Sequence, residues 1–293
     1  MARKTTLLKQ YINEEAILVM PGAFDSLSAR IIEKVGFKAV TLGGYPLSAT
    51  TLGKPDVSLL TLTEMVDHAR NVAGALDIPL FADGDTGHGN VINVQRTVRE
   101  FEKAGVAGLF IEDQVFPKRC GHMEGKQVIP APEMVAKIKA AVDTRNDEDM
   151  TIMARTDALA VYGLDEAIER ANIYREAGAD LIFIEAPPDV SDMRRITREV
   201  QAPTVANMIE GGKTPLLRAA ELQEIGYSVV VFPLSCLYAA AKTVWTVMQS
   251  LHETGSTGES LDSMMTFQEF NSLVGLDEIR EIEAFYYEDV LKA

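Results

Sequence analysis

Cysteine and histidine are scarce in this chain of 293 residues, with two of the former and four of the latter. Two cysteines give no disulfide framework, and so low a count suits a reducing cytosol. Long apolar runs are also missing. No stretch of about 18 apolar residues occurs, so no transmembrane helix is expected. Basic residues are outnumbered, 28 Lys and Arg against 43 Asp and Glu, for a net charge of −15. A nucleic-acid or anionic-membrane partner is excluded on that ground. The opening residues MARKTTLLKQYINEE are too polar for a signal peptide. A soluble cytoplasmic protein is the expectation. No G-x-G-x-x-G opens a helix, and no Lys-Ser/Thr pair follows a glycine run, so nucleotide-binding folds find no support.

What is present is a repeated alternation. Eight short apolar runs recur: AILVMPGAFD (16–25), KAVTLGGY (38–45), IPLFADGDTG (78–87), AGLFIEDQ (107–114), MTIMARTDA (150–158), DLIFIEAPP (180–188), APTVANMIE (202–210) and YSVVVFPLS (227–235). Each is too short for an independent helix, and most carry the Val, Ile and Phe of buried parallel strands. Between them lie segments with helical periodicity, among them 25–37, 93–105, 132–145, 164–178 and 214–226. Asp25 or Ser26 can cap the first, and Gly105, Gly178 and Gly226 stand where helices should stop. Eight strands alternating with helices predict an α/β fold, the (β/α)₈ TIM barrel. The whole chain, 1–293, is expected to form one barrel domain, with 255–293 as a C-terminal helical extension. Ile279, Ile282, Phe285 and Tyr286 form an apolar stripe on that extension. A stripe beyond a closed barrel must pack somewhere, and a neighbouring subunit is the expected place.

In such a barrel the chemistry sits at the C-terminal strand ends. Run three ends in Asp83-Gly84-Asp85 and run four in Glu112-Asp113. In an extended strand Asp83 and Asp85 would project to one side. Clustered carboxylates repel and are costly to desolvate, and a divalent cation resolves both problems. Oxygen donors suit Mg²⁺ or Mn²⁺. His88 is expected behind the site or facing solvent, because Mg²⁺ prefers oxygen. Arg155, Glu185 and Asn207 close runs five, six and seven. The Arg can fork with a substrate carboxylate, Glu185 can hold that Arg or a water, and Asn207 can donate to a carbonyl or carboxylate. Together they favour an anionic, oxygen-rich small substrate. Cys120 follows run four in PKRCGHMEGK (117–126), where Lys118, Arg119 and His122 would favour its thiolate. Such a thiol can be a nucleophile or a general acid and base. Cys236, flanked by apolar residues, reads as a small buried hydrophobe.

KRCGH (118–122) resembles the signature of the isocitrate lyase and phosphoenolpyruvate mutase superfamily. The similarity extends to GAFDSLSARIIEKVGFKAV, LGKPD (52–56), DGDTGHGN, IEDQ, ARTDA, IEAP, KTP (213–215) and FPLS, in order and along nearly the whole chain. The resemblance implies a barrel whose last helix is exchanged between subunits of a homotetramer, a dimer of dimers. It implies Mg²⁺ held directly or through water by Asp83, Asp85 and Glu112, with Asp56 near it. It implies a catalytic Cys120 on a closing loop. Gly43, Gly44, Tyr45, Lys118, Gly121, His122, Arg155, Glu185, Asn207 and Pro233 would meet the substrate. The implied reaction is retro-aldol cleavage of a 2-hydroxy dicarboxylic acid to pyruvate plus a short acid. Within the superfamily, Gly43-Gly44-Tyr45 and Met123 look like the members acting on 2,3-dimethylmalate. Cleavage of 2-methylisocitrate, and decarboxylation or hydrolysis of oxaloacetate, are the alternatives.

Overall fold

Each of the eight apolar runs forms a strand in the computed structural model, which describes residues 2–121 and 123–291. They are β1 (Leu18–Ala23), β2 (Val40–Leu42), β3 (Leu80–Asp83), β4 (Gly108–Glu112), β5 (Thr151–Thr156), β6 (Leu181–Ile184), β7 (Val205–Asn207) and β8 (Val229–Phe232). All ladders are parallel, in the order β6-β5-β4-β3-β2-β1-β8-β7. A parallel bridge from Ile182 to Thr204 joins the two ends of that order. The expected (β/α)₈ barrel is the fold.

The strands read as continuous apolar runs because both of their faces are buried. Alternate residues serve two cores. Phe81, Phe110, Met153, Leu181 and Phe183 pack in one cluster with Leu8 and Ile12 of the helix Lys4–Ile12. Leu80, Leu109, Ile111, Ile152 and Ile182 pack in the other, with the helices around the sheet.

Helix boundaries follow local chemistry. Asp25, not Ser26, caps Ser26–Val35, its carboxylate accepting from the Ser28 backbone N–H at 2.7 Å. Gly105, Gly178 and Gly226 do end their helices, with φ of 87°, 109° and 110°. The helix expected over 214–226 is shorter, Ala219–Ile225. Its start is set at Arg218, whose N–H donates to Glu221 Oε2 at 2.8 Å.

The chain divides into two compact units, Met1–Cys236 and Leu237–Ala293. The second begins earlier than the expected extension at 255, because the division falls inside the helix Ser235–Thr254. It also holds the helices Phe267–Leu273 and Leu276–Leu291. The stripe of Ile279, Ile282, Phe285 and Tyr286 is exposed. No helix among the described residues is long and apolar enough to cross a membrane.

Candidate active site

The barrel delivers its polar residues to one rim. Asp83 ends β3, Glu112 ends β4, Arg155 lies next to last in β5, and Asn207 ends β7. Glu185 and Pro233 follow β6 and β8 by one residue. Parallel register sets Glu112 beside Arg155. These C-terminal strand ends surround a cavity that opens to solvent. Of the expected site residues, Gly43, Gly44, Tyr45, Asp56, Asp83 and Lys118 line it, as do Cys120, Gly121, Arg155, Glu185, Asn207 and Pro233. Asp85 and Glu112 are buried beside this wall. His122 lies outside the described residues. Met123 does not line the cavity; its N–H donates to the Cys120 carbonyl at 2.8 Å and turns the loop.

The acidic group is gathered around a lysine. The Lys118 ammonium, with its side chain 4% exposed, lies 2.7 Å from Asp56 Oδ2 and 3.0 Å from Asp85 Oδ1. Lys118 was expected to tune Cys120 and meet substrate; it lines the cavity, and its charge also neutralises carboxylates. Burial disfavours that charge, but Asp85, Glu112, Asp83 and Asp56 outweigh it and hold the ammonium well above its ordinary pKa. Asp83 accepts from the Gly44 N–H at 2.8 Å and from the Asp85 N–H at 2.8 Å. The expected extended geometry from Asp83 to Asp85 is not what forms. β3 stops at Asp83, and Asp85 takes a left-handed φ of 55°. The intervening Gly84 lies so close to β4 that a Cβ there would be 2.5 Å from the Phe110 carbonyl oxygen. Burial pushes the Asp85 carboxyl up to about 6 despite Lys118, and lifts Glu112 well above the ordinary range despite Arg155.

Arg155 forms the second charged centre. Its Nε lies 3.0 Å from Asp157 Oδ2 and 3.2 Å from Glu112 Oε2, and Nη1 lies 3.7 Å from Glu185 Oε2. Its guanidinium carbon stands 5.8 Å and 5.2 Å from the ring centroids of Phe110 and Phe183. Burial opposes this charge too, but Asp157, Glu112 and Glu185 hold the group well above its ordinary pKa. Asn207 Nδ2 approaches Glu185 Oε1 at 3.4 Å, and its buried Oδ1 has no hydrogen bond. His88 has φ of 59°, a buried Nε2 without a hydrogen bond, and a pKa lowered by burial.

The Cys120 loop closes on this centre. A Cβ on Gly121 would sit 2.5 Å from Arg155 Nη2 and 2.5 Å from the Glu185 carboxyl carbon. Gly121→Ala is therefore expected to hold the loop off Arg155. A displacement of about 1 Å costs on the order of 10²-fold in rate. Steady-state kinetics of the purified variant read this directly, and a wild-type kcat would refute the close approach.

Residues 8–252 match the family described as phosphoenolpyruvate phosphomutase. The chain belongs to this family. It is 50% identical to 2,3-dimethylmalate lyase of Eubacterium barkeri, over 95% of this chain and 96% of that one. It is also 50% identical to the chloroplastic carboxyvinyl-carboxyphosphonate phosphorylmutase of Arabidopsis thaliana, over 97% of this chain and 85% of that one. A solved 2,3-dimethylmalate lyase, described as a PEP mutase/isocitrate lyase superfamily member, superposes with a TM-score of 0.92 at 35% identity, covering 98% and 96% of the two chains. Phosphonopyruvate hydrolase in complex with oxalate and Mg²⁺ superposes at 0.88 and 28% identity, covering 98% and 100%. The superfamily implied by KRCGH is thus the right one. Two equally similar relatives with different names leave the choice of chemistry to the residues.

Among the described residues no three Asp, Glu, His or Cys side chains converge as a ready coordination set. The donor chemistry nevertheless fits the family's hard cation. Asp85 Oδ1 and Glu112 Oε2 make no hydrogen bond and rest only on ion pairs with Lys118 and Arg155, while Glu112 Oε1 is buried with neither a hydrogen bond nor an ion pair among the described residues. Buried oxygens left so are costly unless a positive partner completes them.

Other participants escaped sequence reasoning. Asp157 is fully buried and holds both Arg155 and Lys126. Burial raises its carboxyl, but the two cations prevail and bring it down to about 2. Its position two residues past Arg155, just beyond the end of β5, was the available signal. Behind it, Asp113 accepts from Thr156 Oγ1 at 2.7 Å, Tyr174 OH at 2.8 Å and the Asp157 N–H at 2.9 Å.

Proposed function

We propose that this chain is a carbon–carbon lyase, dependent on Mg²⁺ or Mn²⁺, that cleaves 2,3-dimethylmalate to pyruvate and propionate. One observation carries the substrate assignment. Among the described cavity-lining residues the cations are Lys118 and Arg155, both already paired with carboxylates, while Tyr45, Ile209, Pro233 and Leu234 supply apolar wall. A third substrate carboxylate, as in 2-methylisocitrate, would find no further cation there, whereas a methyl group finds apolar contact.

Asp56, Asp83, Asp85 and Glu112 would hold the cation, which supplies Lewis-acid stabilisation to the 2-hydroxy carboxylate half when bound. Loss of the hydroxyl proton and cleavage between C2 and C3 leave a carbonyl on the pyruvate half. The electron pair remains on C3, next to the second carboxylate. Arg155, the Gly121 N–H and Asn207 receive that carboxylate as negative charge moves onto it. Cys120 Sγ–H gives C3 its proton, completing propionate.

The test is a coupled pyruvate assay with 2,3-dimethylmalate, 2-methylisocitrate and oxaloacetate as substrates. Dimethylmalate should give the highest kcat/KM. Chelation of divalent metal should lower the rate by about 10³-fold, the equivalent of several kcal/mol of transition-state stabilisation, and Mg²⁺ should restore it. Pyruvate release indifferent to chelator would sink the metal assignment. A preference for methylisocitrate would sink the substrate assignment. The same reading carries a cytoplasmic homotetramer with exchanged C-terminal helices, supported by the exposed stripe Ile279, Ile282, Phe285 and Tyr286. Light scattering that gives a monomer would remove it.

A further inference from the structure

We infer that Lys126 is the positioning residue that latches the Cys120 loop shut and ties that closure to the orientation of Arg155. Its side chain is 2% exposed although it sits in a surface-crossing loop. Burying an ammonium is costly unless it is fully paired, so such a lysine needs a reason. Its Nζ makes two short hydrogen bonds. One goes to the carbonyl of Gly121, the residue after Cys120, at 2.5 Å. The other goes to Asp157 Oδ1 at 2.6 Å. Asp157 also receives Arg155, through Nε at 3.0 Å and Nη2 at 3.2 Å. One carboxylate therefore grips both the loop carrying Cys120 and the guanidinium facing the substrate.

The remaining geometry makes this bridge a latch and not a chance ion pair. Asp157 cannot swing with the loop, because its own N–H is held by Asp113, which Thr156, Tyr174 and Arg170 hold in turn. The loop entrance is fastened separately, with Gln114 bonded to both the N–H and the carbonyl of Arg119 and Ser58 accepting from the Lys118 N–H. Opening the loop around Cys120 then requires release of the Gly121 carbonyl from Lys126. Without Lys126, Asp157 keeps Arg155 but loses its hold on the backbone beside Cys120.

The test uses full-length Lys126→Met and Lys126→Arg beside the wild type. Two quantities are read: the iodoacetamide alkylation rate of each cysteine, by mass spectrometry of its peptide, and pyruvate release from 2,3-dimethylmalate. Modification of a covered group follows the population of its open form. In Lys126→Met, Cys120 should alkylate about tenfold faster or more while Cys236, half-buried in the barrel unit, keeps its rate. Its kcat should fall about 10²-fold, with KM changed far less, and Lys126→Arg should recover part of both effects. Unchanged Cys120 alkylation, or both cysteines accelerating together, would overturn the latch. The kinetic arm rests on the lyase reading; the alkylation arm does not. A wild type that releases no pyruvate would defeat that reading while the alkylation rates still decide the role of Lys126.

Discussion

Cys120→Ala is expected to lower kcat by about 10²–10⁴-fold, the usual contribution of a positioned proton donor. The variant removes only the Sγ, from a half-buried residue that lines the cavity. Gly121 and its approach to Arg155 are left alone, so binding of the substrate carboxylates should survive. KM should therefore move little, which separates loss of a proton donor from loss of the loop. Cys120→Ser should remain strongly impaired, because a hydroxyl is a far weaker acid than a thiol. Pyruvate release at saturating 2,3-dimethylmalate is the measurement. Wild-type turnover in the alanine variant would end the assignment of Cys120 as the acid.

Arg155→Met should be the most damaging single change to stability. The side chain is 10% exposed and lies against three buried carboxylates, Glu112, Asp157 and Glu185. Methionine fills much of the volume but leaves those acids facing one another, with Lys126 still on Asp157. Removing one partner from a buried ion pair costs about 3–5 kcal/mol, since the remaining charge is uncompensated. The urea midpoint should fall accordingly, with activity lost together with stability. Adding Glu112→Gln should recover part of the midpoint and none of the activity, as it removes one unpaired charge and a proposed metal ligand. An unfolding free energy within about 1 kcal/mol of wild type would mean the network is not the stabilising element described.

Much of this was legible from residues alone, for a definite reason. Strands buried on two faces must be apolar along their length, so eight short Val- and Ile-rich runs disclosed the barrel. The strand-end rule then placed Asp83, Glu112, Arg155 and Asn207 around one opening. What was not legible depended on where strands stop and on how loops return. Asp83 and Asp85 meet through a left-handed turn, because β3 ends one residue before Gly84. Lys118 read as a tuner of Cys120 and a substrate contact, and Lys126 as no more than part of the same loop. Their partners Asp56 and Asp157 are 62 and 31 residues away, a distance no local pattern spans. The helix beyond KTP began late, at the Arg218 cap closed by Glu221.

Phe110 and Phe183 meet edge to face, 6.5 Å apart between centroids, with Arg155 above both and apolar side chains of the barrel interior around them. The pair works as an insulating floor. Charges resting on it cannot be screened by water from beneath, so their field is directed toward the mouth of the barrel. A substrate arriving there meets a layer of charge one side chain thick, with a dry dielectric slab behind it. That asymmetry lets a handful of polar groups on strand ends act with a strength they would lack on an open surface.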